Sequence, residues 1–363
     1  MEQKRFEEAM QILEELSDRQ RKGAIVNVVY CINLFICYFE TNQYEKAIAL
    51  YHENSRLIEK FRYSKSYGAN IAILDVLAMV IRKQYQEAED LLEKAEKLKE
   101  NGKWETLMAL AEETMDAYPG KNLLDEKLEK AEAMEEKTGI SRYTLDMLML
   151  LQCWKVLKKR YEEKGMSVEL FDNALKDAAY KLQECRAVYG INGTFVGGWN
   201  QGFFAMTRFA LGRLQFEMLK YPFDDSFVQD GVTVKKGDPV INMHIPSSGP
   251  LRKEEAEDAI RQAAEFFGKE FPDGRPVFVM ASWLLDTDLM KLLPEGNTRE
   301  FVKRFTVLQV NKSDVFEDGW RVFTNEWTEE FEKLPGRTKL QRAIRGYLQQ
   351  GGKLGYGYGI FIG

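Results

Sequence analysis

The sequence predicts an α+β chain: an all-helical N-terminal half, then a domain in which strands and helices mix. Three observations carry this. All nine prolines fall at or after Pro119, so the first 118 residues lack the strongest helix breaker. Apolar residues recur through that stretch at helical spacing. From Tyr189 onward glycines become frequent and alternation of strand type follows. A length of 363 residues leaves room for two or three hydrophobic cores.

The helical half begins with three similar segments, Arg5–Leu13, Gln43–Tyr51 and Gln84–Leu92. Each has an aromatic residue (Phe6, Tyr44, Tyr85) followed three positions later by alanine (Ala9, Ala47, Ala88). A small residue lets a neighbouring helix approach while the aromatic ring fills the gap beside it. Apolar helices at about Ala24–Phe39 and Ala69–Arg82 lie between them. Residues 1–98 therefore resemble tetratricopeptide hairpins, at spacings of 38 and 41 residues rather than the repeat's roughly 34. Such an array offers a surface for a protein partner. Residues 99–188 continue as a helical bundle, with breaks at Pro119-Gly120 and Thr138-Gly139. Ser141 is placed to cap a helix reaching about Lys164, with Leu145, Leu148, Leu151 and Val156 on its apolar face. Another helix, from about Ser167 to Val188, carries Leu170, Phe171, Leu175 and Leu182.

Residues 189–363 form the mixed domain. Leu211–Leu219 alternates, with Leu214, Phe216 and Met218 on one face and Arg213, Gln215 and Glu217 on the other. Further strands are expected at Pro239–Pro246, Pro276–Ala281, Phe305–Val310, Gly319–Phe323 and Tyr356–Ile362. Helices are expected at about Arg252–Phe271, Trp283–Leu293, Thr298–Arg304 and Lys339–Gln350. Gly355, Gly357 and Gly359 spell GxGxG, but a dinucleotide fingerprint needs a strand before it and a helix after it. Here the glycines read as the bare face of a closing strand, open to close approach by another backbone or a ligand.

A net charge of −6 and a pI near 5.4 argue against a nucleic-acid partner. No stretch approaches the roughly 18 apolar residues of a membrane span. The N-terminus lacks a signal-peptide pattern, so a cytoplasmic setting is expected. The cysteines, Cys31, Cys37, Cys153 and Cys185, form no CxxC. With the two histidines far apart at His52 and His244, no metal site is expected.

The most informative segment is Val240–Phe267. It reads as an apolar strand, a small-residue turn (Ser247, Ser248, Gly249, Pro250) and a long amphipathic helix. Free backbone N–H groups at a helix start suit a phosphate or pyrophosphate; an ordinary serine-capped turn is the plain alternative. Arg252 and Lys253, in the first helical turn, oppose the helix dipole, which favours an anionic ligand there. His244 ends the strand, and its imidazole titrates near neutrality, so it is a candidate general base or else a structural bridge. Glu217 and Gln215 either line a pocket or form a solvated face. Trp199, Trp283, Phe203 and Phe204 either hold an apolar ligand or belong to the core.

Taken in series, Gly212-Arg-Leu-Gln-Phe-Glu217, His244-Ile-Pro, Ala281-Ser-Trp-Leu-Leu285, Asn297 with Phe301 and Phe305, and Gly351–Gly359 resemble a bacterial acyltransferase group. In that group a helical N-acyltransferase N-terminal region precedes a GNAT-like domain. The resemblance covers about 104–363. It implies a central strand at Val240–Ile245, a pyrophosphate loop at Pro246–Leu251 and a splayed partner strand at Val277–Ala281. The superfamily's usual Gln/Arg-x-x-Gly-x-Gly/Ala loop is replaced by Ser247-Ser-Gly-Pro, and Phe301 and Phe305 stand where a tyrosine acid is common.

The resemblance further implies transfer of an acyl group, acetyl first, from acyl-coenzyme A to a small-molecule or peptide amine. His244 and Glu217 are the catalytic candidates. Ile245, Ser247, Ser248, Gly249, Leu251, Arg252, Ser282 and Asn297 are the coenzyme A contacts. The alternative is a non-catalytic peptide-binding module or a coenzyme A sensor.

Overall fold

Helix formers without proline or glycine interruption give long helices in the first third of the chain. The computed structural model describes residues 2–16, 22–62, 64, 66–118 and 120–363, and the chain divides into two units, Met1–Glu93 and Lys94–Gly363.

The first unit contains α1 (Glu2–Glu14), α2 (Ala24–Glu40), α3 (Tyr44–Glu53), α4 (Ser55–Phe61) and most of α5 (Gly68–Glu100). Its core forms where Val28, Cys31, Ile32 and Phe35 of α2 meet Ala47, Ile58, Ile71 and Leu74. The spacing of the α2 residues is that of one helix face. The expected tetratricopeptide pattern is not realised in its third part. Arg82, Lys83 and Gln84 are good helix formers, so α5 runs unbroken where a hairpin turn was expected. Ala47 is fully buried, whereas Ala88 is exposed. The side chains of Arg82 and Tyr85 lie outside the described ones.

The second unit opens with α6 (Trp104–Ala117), α7 (Leu124–Glu132), α8 (Glu135–Thr138), α9 (Arg142–Glu163) and α10 (Val168–Tyr189). Helix α9 packs against α6, α7 and α10, burying Leu145, Met149, Cys153, Trp154 and Leu157. Gly139, at φ +64°, ends α8 in the left-handed region. Pro119 lies outside the described residues. Ser141 stands at the start of α9 without a side-chain cap bond; Ser167 does cap α10, accepting from the Leu170 N–H at 3.2 Å.

A six-stranded sheet follows, in the order β1 (Arg208–Leu211), β2 (Leu214–Lys220), β5 (Pro239–His244), β6 (Val277–Ser282), β8 (Gly355–Ile362), β7 (Thr306–Lys312). Only β5 and β6 pair in parallel. A separate hairpin joins β3 (Phe227–Gln229) to β4 (Val232–Val234). The intervening helices are α11 (Gln201–Phe204), α12 (Lys253–Phe266), α13 (Thr287–Leu292), α14 (Asn297–Val302), α15 (Trp320–Phe323) and α16 (Lys339–Gln349).

Several expectations are corrected. The alternating run Leu211–Leu219 is the end of one strand and most of another. Gly212, at φ +60°, turns the chain between β1 and β2, and strand β1 was hidden in the glycine-rich stretch. Gly319–Phe323 is helical: Arg321 folds back onto Asp318 at 2.6 Å, and bare Gly319 lies against the Trp327 ring. Five residues are too few to separate the two periods. The expected helix Arg252–Phe271 ends at Phe266 and tightens into a 3₁₀ turn, Gly268–Glu270. Asp286 starts α13 by accepting from the Asp288 and Leu289 N–H groups, which splits the expected helix Trp283–Leu293.

The central strands β5 and β6 and the first half of β2 are buried on both faces. Leu214 and Phe216 are fully buried on the side where α12 packs, and Phe216 meets Phe278 there. Gln215 and Glu217 point to the other side, where α10 stands: Gln215 Nε2 donates to Asp177 Oδ1 at 2.7 Å. The solvated alternative for this face is therefore excluded, since Gln215 is 2 % exposed. Strand β8 lies inside the sheet between β6 and β7. Its bare face allows close backbone approach, because a Cβ at Gly357 would collide with the Leu285 carbonyl.

Candidate active site

Two hydrophobic strands that run in parallel should pair along their whole length. Here pairing between β5 and β6 is confined to Ile241–Phe278 and Asn242–Val279. Beyond those pairs the strands part, and a cavity of about 900 Å³ opens between and above their ends. Met243 and His244 at the end of β5, with Ile245 just beyond it, line it on one side, and Met280, Ala281 and Ser282 of β6 on the other. Leu251, Trp283, Leu284 and Leu293 add apolar wall.

His244 and Glu217 meet at the floor. The antiparallel register sets Gln215 opposite His244 and Glu217 opposite Asn242, so all four side chains share one face. His244 Nε2 lies 2.7 Å from Glu217 Oε1. Asn242 Nδ2 donates to the same oxygen at 3.0 Å, and Arg208 Nη2 donates to both carboxylate oxygens at 3.3 and 3.2 Å. Burial alone would raise the Glu217 pKa, but His244, Arg208 and Asn242 together hold it at about 2. The carboxylate is thus an acceptor only, and Nε2 carries the proton. Burial lowers the His244 pKa below the ordinary imidazole value, and Arg208 adds to this against the pull of Glu217. The result is a neutral imidazole whose Nδ1 has no hydrogen-bond partner among the described residues. The Trp199 ring stands edge-on to it at 4.8 Å.

The turn after β5 is held from below. Arg213 donates to the carbonyls of Pro246 (3.1 Å) and Gly249 (2.6 Å). The Ser247 hydroxyl donates to Glu184 at 2.5 Å, which ties it to α10, and Ser248 lies beside Tyr180 of the same helix. Arg252 precedes α12, exposed, and pairs with Glu255 at 3.1 Å. Asn297 opens α14 on the cavity wall, and Ser282 accepts from the Leu284 N–H at 3.2 Å.

Of the residues singled out in the sequence, the cavity brings together His244, Ile245, Ser247, Gly249, Leu251, Ser282 and Asn297. Glu217 sits behind His244, while Ser248 and Arg252 lie off the lining. Trp199 and Trp283 line the cavity, whereas Phe203 and Phe204 are core, packed on Trp154 at 5.4 and 5.5 Å. Sequence reasoning missed one whole wall: Asp177, Lys181 and Glu184 of α10. The signal was present, since these three charged residues fall on the same stripe as buried Phe171, Ala174 and Cys185. Burial raises the Asp177 pKa, and its Oδ2 has no partner among the described residues. Arg208 and Arg213 were also missed as site supports, one because β1 was not recognised. No cluster of metal-ligating side chains occurs among the described residues.

Residues 209–361 match the family described as GNAT-like C-terminal domain, and residues 74–206 match the N-acyltransferase N-terminal domain. No curated protein matches the sequence. Among solved structures, an acyltransferase in complex with decanoyl-CoA and teicoplanin is similar at 19 % identity and a TM-score of 0.56. The match covers 76 % of this chain and 88 % of that one. A mutant acyltransferase in complex with octanoyl-CoA is similar at 20 % identity and a TM-score of 0.55, over 76 % and 87 % of the two chains. At these identities the likeness is one of fold.

Proposed function

The chain belongs to the acyltransferases that join an N-acyltransferase N-terminal domain to a GNAT-like C-terminal domain, and we propose that it transfers an acyl group from acyl-coenzyme A to a primary amine by direct attack. The observation that carries this reading is the neutral His244, hydrogen-bonded to Glu217 at the floor of a cavity between parted strands.

In this mechanism the amine nitrogen attacks the thioester carbonyl carbon while His244 Nδ1 removes its proton. Glu217 holds the imidazole by Nε2–H and offsets the positive charge that develops on it. Backbone N–H groups at the parted strand ends are the expected donors to the oxyanion. The carbon–sulfur bond then breaks, and the imidazolium returns the proton to the departing thiolate. This closes the proton account without a tyrosine acid near Arg304.

The pyrophosphate is assigned to the turn Ser247–Leu251 and the first turn of α12. With the Ser247 hydroxyl bonded to Glu184, backbone N–H groups are the expected ligating groups there. Arg213 occupies carbonyls that would otherwise repel an anion. Ile245, Ser282 and Asn297 are assigned to the pantetheine arm. The acetyl group expected from the sequence is the smallest candidate. The apolar wall of Met243, Met280, Leu284 and Leu293 favours a longer chain, and the similar structures hold octanoyl-CoA and decanoyl-CoA. The acceptor is proposed to be a small-molecule or peptide amine, and the setting cytoplasmic, in keeping with four free cysteines.

Calorimetric titration with octanoyl-CoA, acetyl-CoA and adenosine 3′,5′-bisphosphate, followed by thiol release in the presence of amines, tests this reading. Tighter binding of octanoyl-CoA than acetyl-CoA and amine-dependent thiol release are expected. Binding without release under any amine would leave a coenzyme A sensor instead.

A further inference from the structure

Arg208 is charged, 9 % exposed and absent from the cavity wall, so its burial calls for a physical reason. It lies on the edge strand β1 directly opposite Glu217. Nη1 donates to the Trp199 carbonyl at 2.7 Å, and Nη2 reaches both Glu217 oxygens. Its guanidinium stacks on the Trp199 ring at 3.9 Å. Bare Gly202 makes room for it, since a Cβ there would come within 2.9 Å of the arginine side chain. One guanidinium thus grips the two residues that flank His244: Glu217, bonded at Nε2, and Trp199, edge-on to the ring.

We propose that Arg208 is a positioning residue: it holds Glu217 ionised and Trp199 across the imidazole, so that His244 presents Nδ1, unprotonated, to the cavity. The charged groups around His244 come from three elements. Glu217 on β2 and Asp177 on α10 favour an imidazolium, and Arg208 on β1 opposes it. Lys181 on α10 stands 5.3 Å from the Trp199 ring and is paired with Glu184 of the same helix at 3.2 Å. An arginine fork does here what a lysine cannot, bonding a carboxylate and a carbonyl while stacking on an aromatic face. The role given to Nδ1 rests on the acyltransferase reading; the hold on His244 does not.

The chain has only two histidines, His52 and His244, so imidazole resonances of the ¹⁵N-labelled full-length protein can be read individually. In the wild type at pH 7, His244 is expected as the neutral Nε2–H tautomer. Arg208→Gln is expected to raise its titration midpoint by about one pH unit, with the acid limb of thioester turnover moving up alongside. Arg208→Lys, which keeps the charge, is expected to hold the midpoint near wild type. An unmoved midpoint in folded Arg208→Gln overturns the proposal. So does a wild-type imidazolium or an Nδ1–H tautomer at pH 7, whether or not the variant folds. A wild type that consumes no thioester while the midpoint moves overturns the proposed reaction and supports the positioning role.

Discussion

His244 and Glu217 are 27 positions apart in sequence and 2.7 Å apart in space. What matters chemically is the balance between burial, which keeps the imidazole neutral, and the carboxylate, which favours its protonation. His244→Ala is expected to slow acyl transfer by roughly 10²–10⁴-fold with binding of acyl-coenzyme A retained. Comparable turnover in a folded variant would remove His244 from the reaction. Glu217→Gln keeps the shape and removes the charge. Because Glu217 raises the His244 pKa, its loss should shift the acid limb of kcat/KM to lower pH, opposite in sign to Arg208→Gln. A shift in the same direction for both variants would show that the two charges do not act through the imidazole.

At the scale of elements, the turn between β5 and α12 depends on a residue of the β1–β2 hairpin. Arg213 makes two charge-assisted bonds to its carbonyls, each contributing roughly 1.5–3 kcal/mol. Arg213→Ala should weaken octanoyl-CoA binding by about tenfold or more, with a smaller change in kcat; equal affinity measured by calorimetry would detach the turn from the cofactor. Strand β8 makes a second element-level case. Gly357→Ala would drive a methyl into the Leu285 carbonyl, at a cost of about 1–3 kcal/mol. The melting temperature should fall by several degrees, and an unchanged value would mean that the 3₁₀ turn Trp283–Leu285 yields freely.

At the scale of the whole molecule, the bundle carries a titratable liability outside the cavity lining. Asp146 of α9 is 3 % exposed with Oδ1 unpartnered among the described residues, and burial, reinforced by Glu132, pushes its carboxyl up to about 9. An unfolded aspartate titrates near 4. The contribution of this one carboxyl to stability is therefore fully present below about pH 4 and is lost as pH rises toward 9. Asp146→Asn should raise the unfolding temperature, and by more at pH 8 than at pH 5. A gain independent of pH would refute this origin.

Most of the order of helices and strands, the strands Pro239–Pro246 and Pro276–Ala281 and the bare face of the glycine tail were legible in the chain. Each rests on local periodicity or on a residue type with one stereochemical use, and a single segment contains all of that information. His244, and the turn after it, stood out for the same reason. The Arg208 fork, the strand face that the charged stripe of Asp177, Lys181 and Glu184 meets, and the turning of Ser247 toward α10 were not legible. These depend on which face of β2 meets which face of α10, a choice made by burial across elements distant in sequence. A polar strand face reads as solvated until a helix is known to cover it. Here the helix covering it also supplies charges, and only the packing of the two turns a pair of amphipathic surfaces into a closed polar site.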